Sequence, residues 1–299
     1  MKDSEKFWAR LQLLIKRLAL RVDRRVGYLY MLITNRLNQN LENYVADFAN
    51  PERRHSKSLV ILGSGESLNS LTQDEIECYQ NMDSIGINFT GFNHAVRPKE
   101  CLIEVPPHSS KAREVLLQLM SSADGDQKFY VNLFHARMHP EHSKPLLELP
   151  NVFCFDIVRF KTLKKLRFKI NAYLYLNLTH RYFFRPIHHG ASLVMTLTIG
   201  MMRGYEEIHL VGIDLNGSKY FYDSPEYKNS PLADLVEIVN QVESKISKKM
   251  HLTQDRATAA LFSELAVVDT CPYLVTLLRK KKVNIVVRGE DSGFRAFLK

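Results

Sequence analysis

Two glycines one residue apart follow an apolar run near position 60, and this pattern has the clearest chemical meaning in the chain. Residues 58–62 (SLVIL) predict a buried strand, and Gly63 and Gly65 allow a tight turn after it. Such a turn brings backbone N–H groups and the following helix close to a phosphate. With Ser64 and Ser67 in the turn, the segment predicts a nucleotide-binding loop. A tight turn between strand and helix, with no ligand, would have the same pattern.

The loop departs from the dinucleotide fingerprint at two points. Leu68 stands where the fingerprint has a third glycine, and the second predicted strand, residues 84–88, ends in Asn88 where an acid would bind a ribose diol. The amide of Asn88 can both donate and accept hydrogen bonds to a base or a sugar. These differences favour a nucleotide other than NAD.

Two further polar residues lie at the ends of predicted elements. Ser192 begins an apolar helix over residues 191–203, and its hydroxyl and the helix amino end suit a phosphate or a carboxylate; a plain helix cap is the alternative. Asp214 ends the apolar strand 207–214, at the edge where open α/β sheets bind ligands. The alternative for Asp214 is a structural role, with hydrogen bonds to the turn that follows.

The order of elements predicts the fold class. Thr72 and Glu75 form a capping-box pattern that begins the first core helix. Residues 215–250 are polar and aromatic and predict a lid or insertion over the site. Strands alternate with helical stretches, which indicates an α/β domain with a doubly wound, mostly parallel, Rossmann-like sheet. After the first, the predicted strands are 84–88, 101–105, 129–134, 151–156, 207–214 and 283–287.

Three segments together resemble glycosyltransferase family 42, the bacterial lipooligosaccharide sialyltransferases. They are GSGESL (63–68), GINF (86–89) and GYEEIHLVGID (204–214). The resemblance extends over roughly residues 58–290. It implies a GT-A-type domain with a lid, and a donor in which CMP activates a nine-carbon acid sugar. It also implies that neither a metal ion nor a cofactor is needed, and the absence of a convincing D-x-D motif agrees with a donor that carries one phosphate.

The resemblance assigns the residues that contact the nucleotide. It also implies that two lid tyrosines donate hydrogen bonds to the departing phosphate, which accumulates charge as the glycosidic bond breaks. Tyr220 matches the second tyrosine, whereas Leu215 stands at the first; either Tyr222 substitutes, or a histidine or lysine does, or the activity is altered. The implied nucleotide contacts are Gly63, Ser64, Gly65, Ser67, Asn88, Ser192 and Asp214.

The family's general base is a histidine late in the lid, and His251 is the match in this chain. A base is needed there because the acceptor hydroxyl must lose its proton as it attacks the anomeric carbon. An ordinary surface or capping role is the alternative for His251. His188 and His189 are competing candidates for phosphate binding, or they simply pack in a loop.

The charge of the chain predicts an anionic partner. The net charge is +9, and the first 36 residues interleave basic and apolar residues at helical spacing. We expect residues 1–57 to form a basic amphipathic arm at an anionic membrane surface, or one docked on the protein itself or on a second subunit of a homo-oligomer. The basic run Arg159–Lys169 extends that surface or is a solvated helix face. No nucleic-acid module is recognised, so a nucleic acid is not the expected partner.

The charge pattern predicts a two-part protein that begins with the arm, and the resemblance implies that residues 58–299 form a glycosyltransferase domain that binds a nucleotide sugar. Scattered cysteines without C-x-x-C spacing fit a reducing cytoplasm, and we expect a peripheral location at the inner face of the cell membrane. The expected activity is inverting, metal-independent transfer of sialic acid or a related acid sugar from CMP to a surface glycan or glycolipid. The alternatives are a transferase of the same fold with another nucleotide donor, and a non-catalytic, membrane-peripheral nucleotide-binding protein.

Overall fold

The structure of the protein is a computed structural model. It describes the backbone of residues 50–104, 110–123, 125–132, 140–155, 157, 186, 191–215, 219–234, 237–238, 267–290 and 292–299, and the side chains of all of these except 140–143. The chain divides into a unit Met1–Val45, which lies outside the described residues, and a unit Ala46–Lys299.

The described residues form one parallel sheet of seven strands. The spatial order is β5-β4-β3-β2-β1-β6-β7, and every neighbouring pair is parallel. The strands are β1 (Ser58–Leu62), β2 (Asp83–Ile87), β3 (Glu100–Ile103), β4 (Lys128–Asn132), β5 (Val152–Phe155), β6 (Glu207–Val211) and β7 (Asn284–Val287).

Among the described residues, five α-helices lie between these strands. They are α1 (Gln73–Gln80), α2 (Ser110–Ser121), α3 (Pro140–Leu147), α4 (Ser192–Arg203) and α5 (Val267–Lys280). Every residue of α4 is buried, which explains why its sequence is apolar on all sides. The helix ends at Gly204, whose φ of 75° is a conformation that glycine adopts without strain.

Both faces of the sheet are covered. Alternate residues of each strand point to opposite faces, so Leu59 and Ile61 pack in one core with α4 and α5. Val60 and Leu62 pack in a second core with α1 and α2. The structure therefore confirms the prediction of an α/β fold with a parallel sheet between helices, and the arrangement is consistent with a Rossmann-like domain.

The strand order creates a crevice at the carboxyl edge of the sheet. The chain runs outward from β1 to β5 at one edge and then returns to place β6 on the other side of β1. At such a reversal the connections leave β1 and β6 in opposite directions, and open parallel sheets bind ligands in the resulting crevice. The segments that follow β1 and β6 are the glycine loop and Gly212–Leu215.

The predicted strands agree with the observed ones to within a few residues. Thr72 caps α1 as predicted: its hydroxyl accepts a hydrogen bond from the Glu75 N–H at 3.3 Å, and the Glu75 carboxylate accepts one from the Thr72 N–H at 2.8 Å. The glycine loop leads into a short 3₁₀ turn, Glu66–Ser70, before α1 begins.

The predicted arm and lid fall largely on residues outside the described set. Residues 1–49 and the basic run 159–169 are not described, and of the lid only Leu215 and residues 219–234 and 237–238 are described. Among the described residues, no helix combines the length and the apolar character needed to cross a membrane.

Candidate functional site

The glycine loop donates most of its backbone N–H groups to acceptors inside the protein. Its 3₁₀ turn begins beside the carboxylate of Asp214, where an anion would otherwise be favoured. A phosphate at this point would compete with that carboxylate. The donations run from Gly63 to the Val211 carbonyl (2.8 Å), from Gly65 to Gly212 (2.8 Å), from Glu66 to Lys219 (3.0 Å), from Ser67 to Asp214 (3.1 Å) and from Leu68 to Gly65 (3.2 Å).

The two glycines are needed for close packing between the loop and the segment after β6. A Cβ atom on Gly63 would lie 2.4 Å from the Gly212 carbonyl oxygen, and one on Gly65 would lie 2.2 Å from Asp214 Oδ2. The φ of Gly65 is −69°, which any residue can adopt, so steric contact is the constraint at that position. The predicted contact between these glycines and a nucleotide stays a prediction.

Asp214 joins the carboxyl ends of β1 and β6. Its Oδ1 accepts a hydrogen bond from Ser67 Oγ at 2.6 Å, and its Oδ2 accepts one from the Ser67 N–H at 3.1 Å. The carboxylate thus caps the 3₁₀ turn from a distant part of the chain. This arrangement supports the structural alternative for Asp214, and its predicted contact with a ligand stays untested.

Tyr220 and Phe221, in the predicted lid, lie along the glycine loop. Tyr220 forms an isolated antiparallel bridge with Gly65, and the Phe221 N–H donates to the Ser64 carbonyl at 2.9 Å. The rings of Tyr220 and Tyr222 stack with centroids 5.0 Å apart. Tyr220 is half-buried and Tyr222 is buried. Of the two tyrosines predicted to donate a hydrogen bond to the phosphate, Tyr220 is therefore the more accessible.

Leu215 is fixed by its backbone and by its packing. Its φ of 54° is in the left-handed region, which leucine rarely adopts, and its side chain packs against the core that contains α4 and α5. Gly293 packs against the backbone of this segment, because its N–H donates to the Asp214 carbonyl at 2.6 Å. Leu215, at the position where the resemblance implies the first lid tyrosine, therefore has a structural role in packing.

Ser64 connects the glycine loop to the end of β2. Its hydroxyl lies 3.3 Å from the Ile87 carbonyl oxygen and 3.3 Å from Thr90 Oγ1. Thr90 is fully buried and donates its own hydroxyl to the Ile87 carbonyl at 2.7 Å. Ser64 therefore lies beside the turn that begins with Asn88.

Asn88, Glu104 and Ser192 form a hydrogen-bonded row beside that turn. The Glu104 N–H donates to Asn88 Oδ1 at 3.1 Å, and Ser192 Oγ donates to Glu104 Oε1 at 2.8 Å. Asn88 has a φ of 54°, a conformation that asparagine tolerates better than most residues. The row brings together the carboxyl ends of β2 and β3 and the amino end of α4.

The Glu104 carboxylate changes what this part of the site can bind. Ser192 was predicted to contact an anion, but its hydroxyl proton is donated to Glu104. A carboxylate repels a phosphate at close range and accepts hydrogen bonds from sugar hydroxyls. The sequence analysis did not identify Glu104 as a site residue, because the only signal was its position near the end of the predicted strand 101–105.

Arg288 follows β7 and binds the 3₁₀ turn that comes after the glycine loop. Its guanidinium donates to the carbonyl oxygens of Ser67 at 2.9 Å and Ser70 at 2.6 Å, and to both carboxylate oxygens of Glu75 at 3.0 Å. The Arg288 hydrogen bond is the main cause that lowers the pKa of Glu75 to about 2. Arg288 also escaped the sequence analysis, since a single arginine after a strand has no distinctive pattern.

The structure thus brings most of the predicted site residues to one edge of the sheet. Ser64 links one group around Gly65, Asp214 and Tyr220 to the row that contains Asn88. The three candidate histidines, His188, His189 and His251, lie outside the described residues. Among the residues that the structure describes, no three His, Cys, Asp or Glu side chains gather in a way that could hold a metal ion.

No family model matches this sequence, and no curated protein or solved structure matches it either.

Proposed function

We propose that this protein is an inverting, metal-independent glycosyltransferase that moves sialic acid or a related acid sugar from a CMP donor to a glycan acceptor. The observation that carries the proposal is the row of Asn88, Glu104 and Ser192 at the carboxyl edge, with Tyr220 held against the adjacent glycine loop. Parallel sheets bind nucleotides at this edge, and the row offers both donors and acceptors to a nucleoside.

The charge at the site suggests how the nucleotide lies in it. Glu104 provides the acceptor that ribose hydroxyls require, a role that dinucleotide-binding domains assign to an acid after the second strand. Here the acid follows β3, beside the amide of Asn88. We therefore assign the ribose to Glu104, with Asn88 at the base or sugar, and the phosphate to the side of Tyr220, away from the carboxylate.

The transfer itself requires a base and a stabilised leaving group. The acceptor oxygen forms a bond to the anomeric carbon as the bond from that carbon to the CMP phosphate oxygen breaks, so CMP departs with the electron pair. Tyr220 donates a hydrogen bond to that phosphate as its charge grows. His251, which lies outside the described residues, takes the proton of the acceptor hydroxyl in the scheme that the resemblance implies.

The second candidate function is non-catalytic nucleotide binding, and two observations favour it. Leu215 replaces the first lid tyrosine and packs against the core. The carboxylate of Asp214 also lies at the start of the 3₁₀ turn, where a phosphate would otherwise be favoured. A protein of this kind would bind CMP without releasing it from a donor.

The test is to incubate the full chain with a panel of CMP-activated sugars and glycan acceptors, and to measure CMP release and product mass. Titration with CMP, UDP, GDP and ATP identifies the nucleotide class. Release of CMP with a glycosylated product supports the transferase. Binding of CMP with no release above background supports the non-catalytic alternative, and preference for another nucleotide rejects the CMP assignment.

A further inference from the structure

The amino edge of the sheet, opposite the candidate site, has a row of exposed cations. Lys57 precedes β1, Lys99 precedes β3, Lys128 begins β4, and a run at the end of α5 precedes β7. The strands from β4 to β7 cover five strand spacings, so the row extends roughly 24 Å along one edge. The exposed cations of this edge are Arg54, Lys57, Lys99, Lys128, Arg279, Lys280, Lys281 and Lys282.

Neutralisation by neighbouring acids is incomplete among the described residues. Lys57 lies 3.4 Å from the carboxylate of Glu206, but both side chains are well exposed, and an ion pair in water is weak. The exposed acids of the same edge are Glu52, Asp126, Glu148 and Glu206, which the cations outnumber. The described residues of this edge therefore carry an excess of positive charge.

The chain enters the folded core at this same edge. Arg53 donates to the Glu100 carboxylate at 3.1 Å, and Asp83 Oδ2 accepts hydrogen bonds from the N–H groups of His55 (2.8 Å) and Ser56 (3.0 Å). The last residues before β1, which were predicted to belong to the basic arm 1–57, are thus bound to the core.

The contacts of Glu100 and Asp83, which together anchor residues 53–56, extend into the interior of the domain. Arg203, at the end of α4, has a side chain that is 1% exposed and lies 2.6 Å from the second oxygen of Glu100. Tyr205 donates its hydroxyl to Asp83 Oδ2 at 2.8 Å. Because buried charges are paired there, the anchor holds residues 53–56 at a defined place on the edge.

We propose that the cationic amino edge is a docking surface for an anionic membrane. The first 36 residues of the sequence have the interleaved basic and apolar residues typical of an interfacial helix. That pattern favours a bilayer, because the apolar face of such a helix can insert among the lipids while its cations contact the anionic headgroups. Each lysine near an anionic bilayer strengthens attachment, so the edge adds to whatever the N-terminal residues contribute.

The proposal does not rest on the nucleotide site, which lies at the opposite ends of the strands. It has one consequence for that site: with the amino edge on the bilayer, the crevice beside Asn88 opens away from the membrane. Acceptors would then reach it from the aqueous side.

The test measures sedimentation of the full chain with vesicles of phosphatidylcholine that contain phosphatidylglycerol. The edge variant is Lys280→Gln/Lys281→Gln/Lys282→Gln. The control variant, Lys111→Gln/Lys219→Gln/Lys228→Gln, removes the same charge from exposed lysines in segments that follow the carboxyl ends of strands. We expect the vesicle partition coefficient of the edge variant to fall roughly tenfold or more, and that of the control to change by less than about twofold. The binding should also weaken as salt is added.

A second edge variant tests the proposal independently if the first variant misfolds. Lys99→Gln/Lys128→Gln removes two cations from the other end of the row, and a partial loss of vesicle binding is expected. The proposal is wrong if the edge variants bind vesicles as well as the unmodified chain does, or if the control loses as much. It is also wrong if the edge variants lose only binding to a DNA or RNA oligonucleotide while vesicle binding is retained.

Discussion

Asp214 and Ser67 are joined by two hydrogen bonds, from Ser67 Oγ to Oδ1 at 2.6 Å and from the Ser67 N–H to Oδ2 at 3.1 Å. The two residues are separated by 147 positions in the chain, so the pair closes the carboxyl edge between β1 and β6. We expect Asp214→Ala to lower the free energy of unfolding by about 1–3 kcal/mol, because it leaves the half-buried Ser67 groups without their acceptor. Ser67→Ala removes one bond only and should cost less; urea denaturation of both variants measures the difference.

Gly65 is a steric requirement, and a matched glycine is available for comparison. Gly65→Ala should lower the free energy of unfolding by about 1–3 kcal/mol, since its Cβ would lie 2.2 Å from Asp214 Oδ2. Gly125→Ala is the control, because no atom lies within 4 Å of a Cβ there. If both substitutions change the denaturation midpoint equally, the close contact does not limit packing at Gly65.

The pair of Glu75 and Arg288 makes stability depend on pH. Hydrogen bonds from Arg288, and the cap at Thr72, lower the Glu75 pKa from 4.5 to about 2 in the folded protein. The ionised carboxylate therefore stabilises the fold above about pH 4.5, and this contribution is lost as the pH falls from 4.5 towards 2.

Thermal unfolding of Glu75→Gln and of the unmodified protein, measured from pH 7 to the lowest pH at which both fold, checks this dependence. The variant should be less stable near neutral pH, and the difference should shrink as the pH falls below 4.5. A difference that is the same at every pH would contradict the ionised pair.

Glu104 is expected to decide how the site binds ribose. Glu104→Gln should weaken CMP binding by about tenfold or more, because a hydrogen bond to a charged acceptor is replaced by one to a neutral amide. Binding of 2′-deoxy-CMP should change much less if the missing hydroxyl is the one that Glu104 accepts. Isothermal titration with both nucleotides makes the comparison, and an equal loss for the two would remove Glu104 from the ribose.

The fold was predictable from local patterns to a large extent. An apolar run such as SLVIL marks a strand buried on both faces, and the Thr72 and Glu75 spacing located the start of α1. These signals depend on neighbouring residues only.

The contacts that shape the candidate site depend on residues far apart in the chain. The Asp214 carboxylate accepts a hydrogen bond from the Ser67 N–H, and Arg288 contacts Glu75, which is 213 positions away in the chain. No spacing rule connects such pairs before the strand order is known. Glu104 was missed for the same reason, since its meaning comes from Asn88 and Ser192 beside it.

Titration of the full chain with CMP, compared with the Asn88→Asp variant, tests the central claim most directly. Aspartate has the shape of asparagine and tolerates its φ of 54°, but it has no N–H donor and adds a negative charge next to Glu104. We predict that the unmodified protein binds CMP in preference to UMP, AMP and GMP, and that Asn88→Asp weakens CMP binding by at least about tenfold while the fold is retained. Failure of the unmodified protein to bind CMP, or equal CMP affinity in the variant, would contradict a cytidine nucleotide site at the carboxyl edge of this sheet.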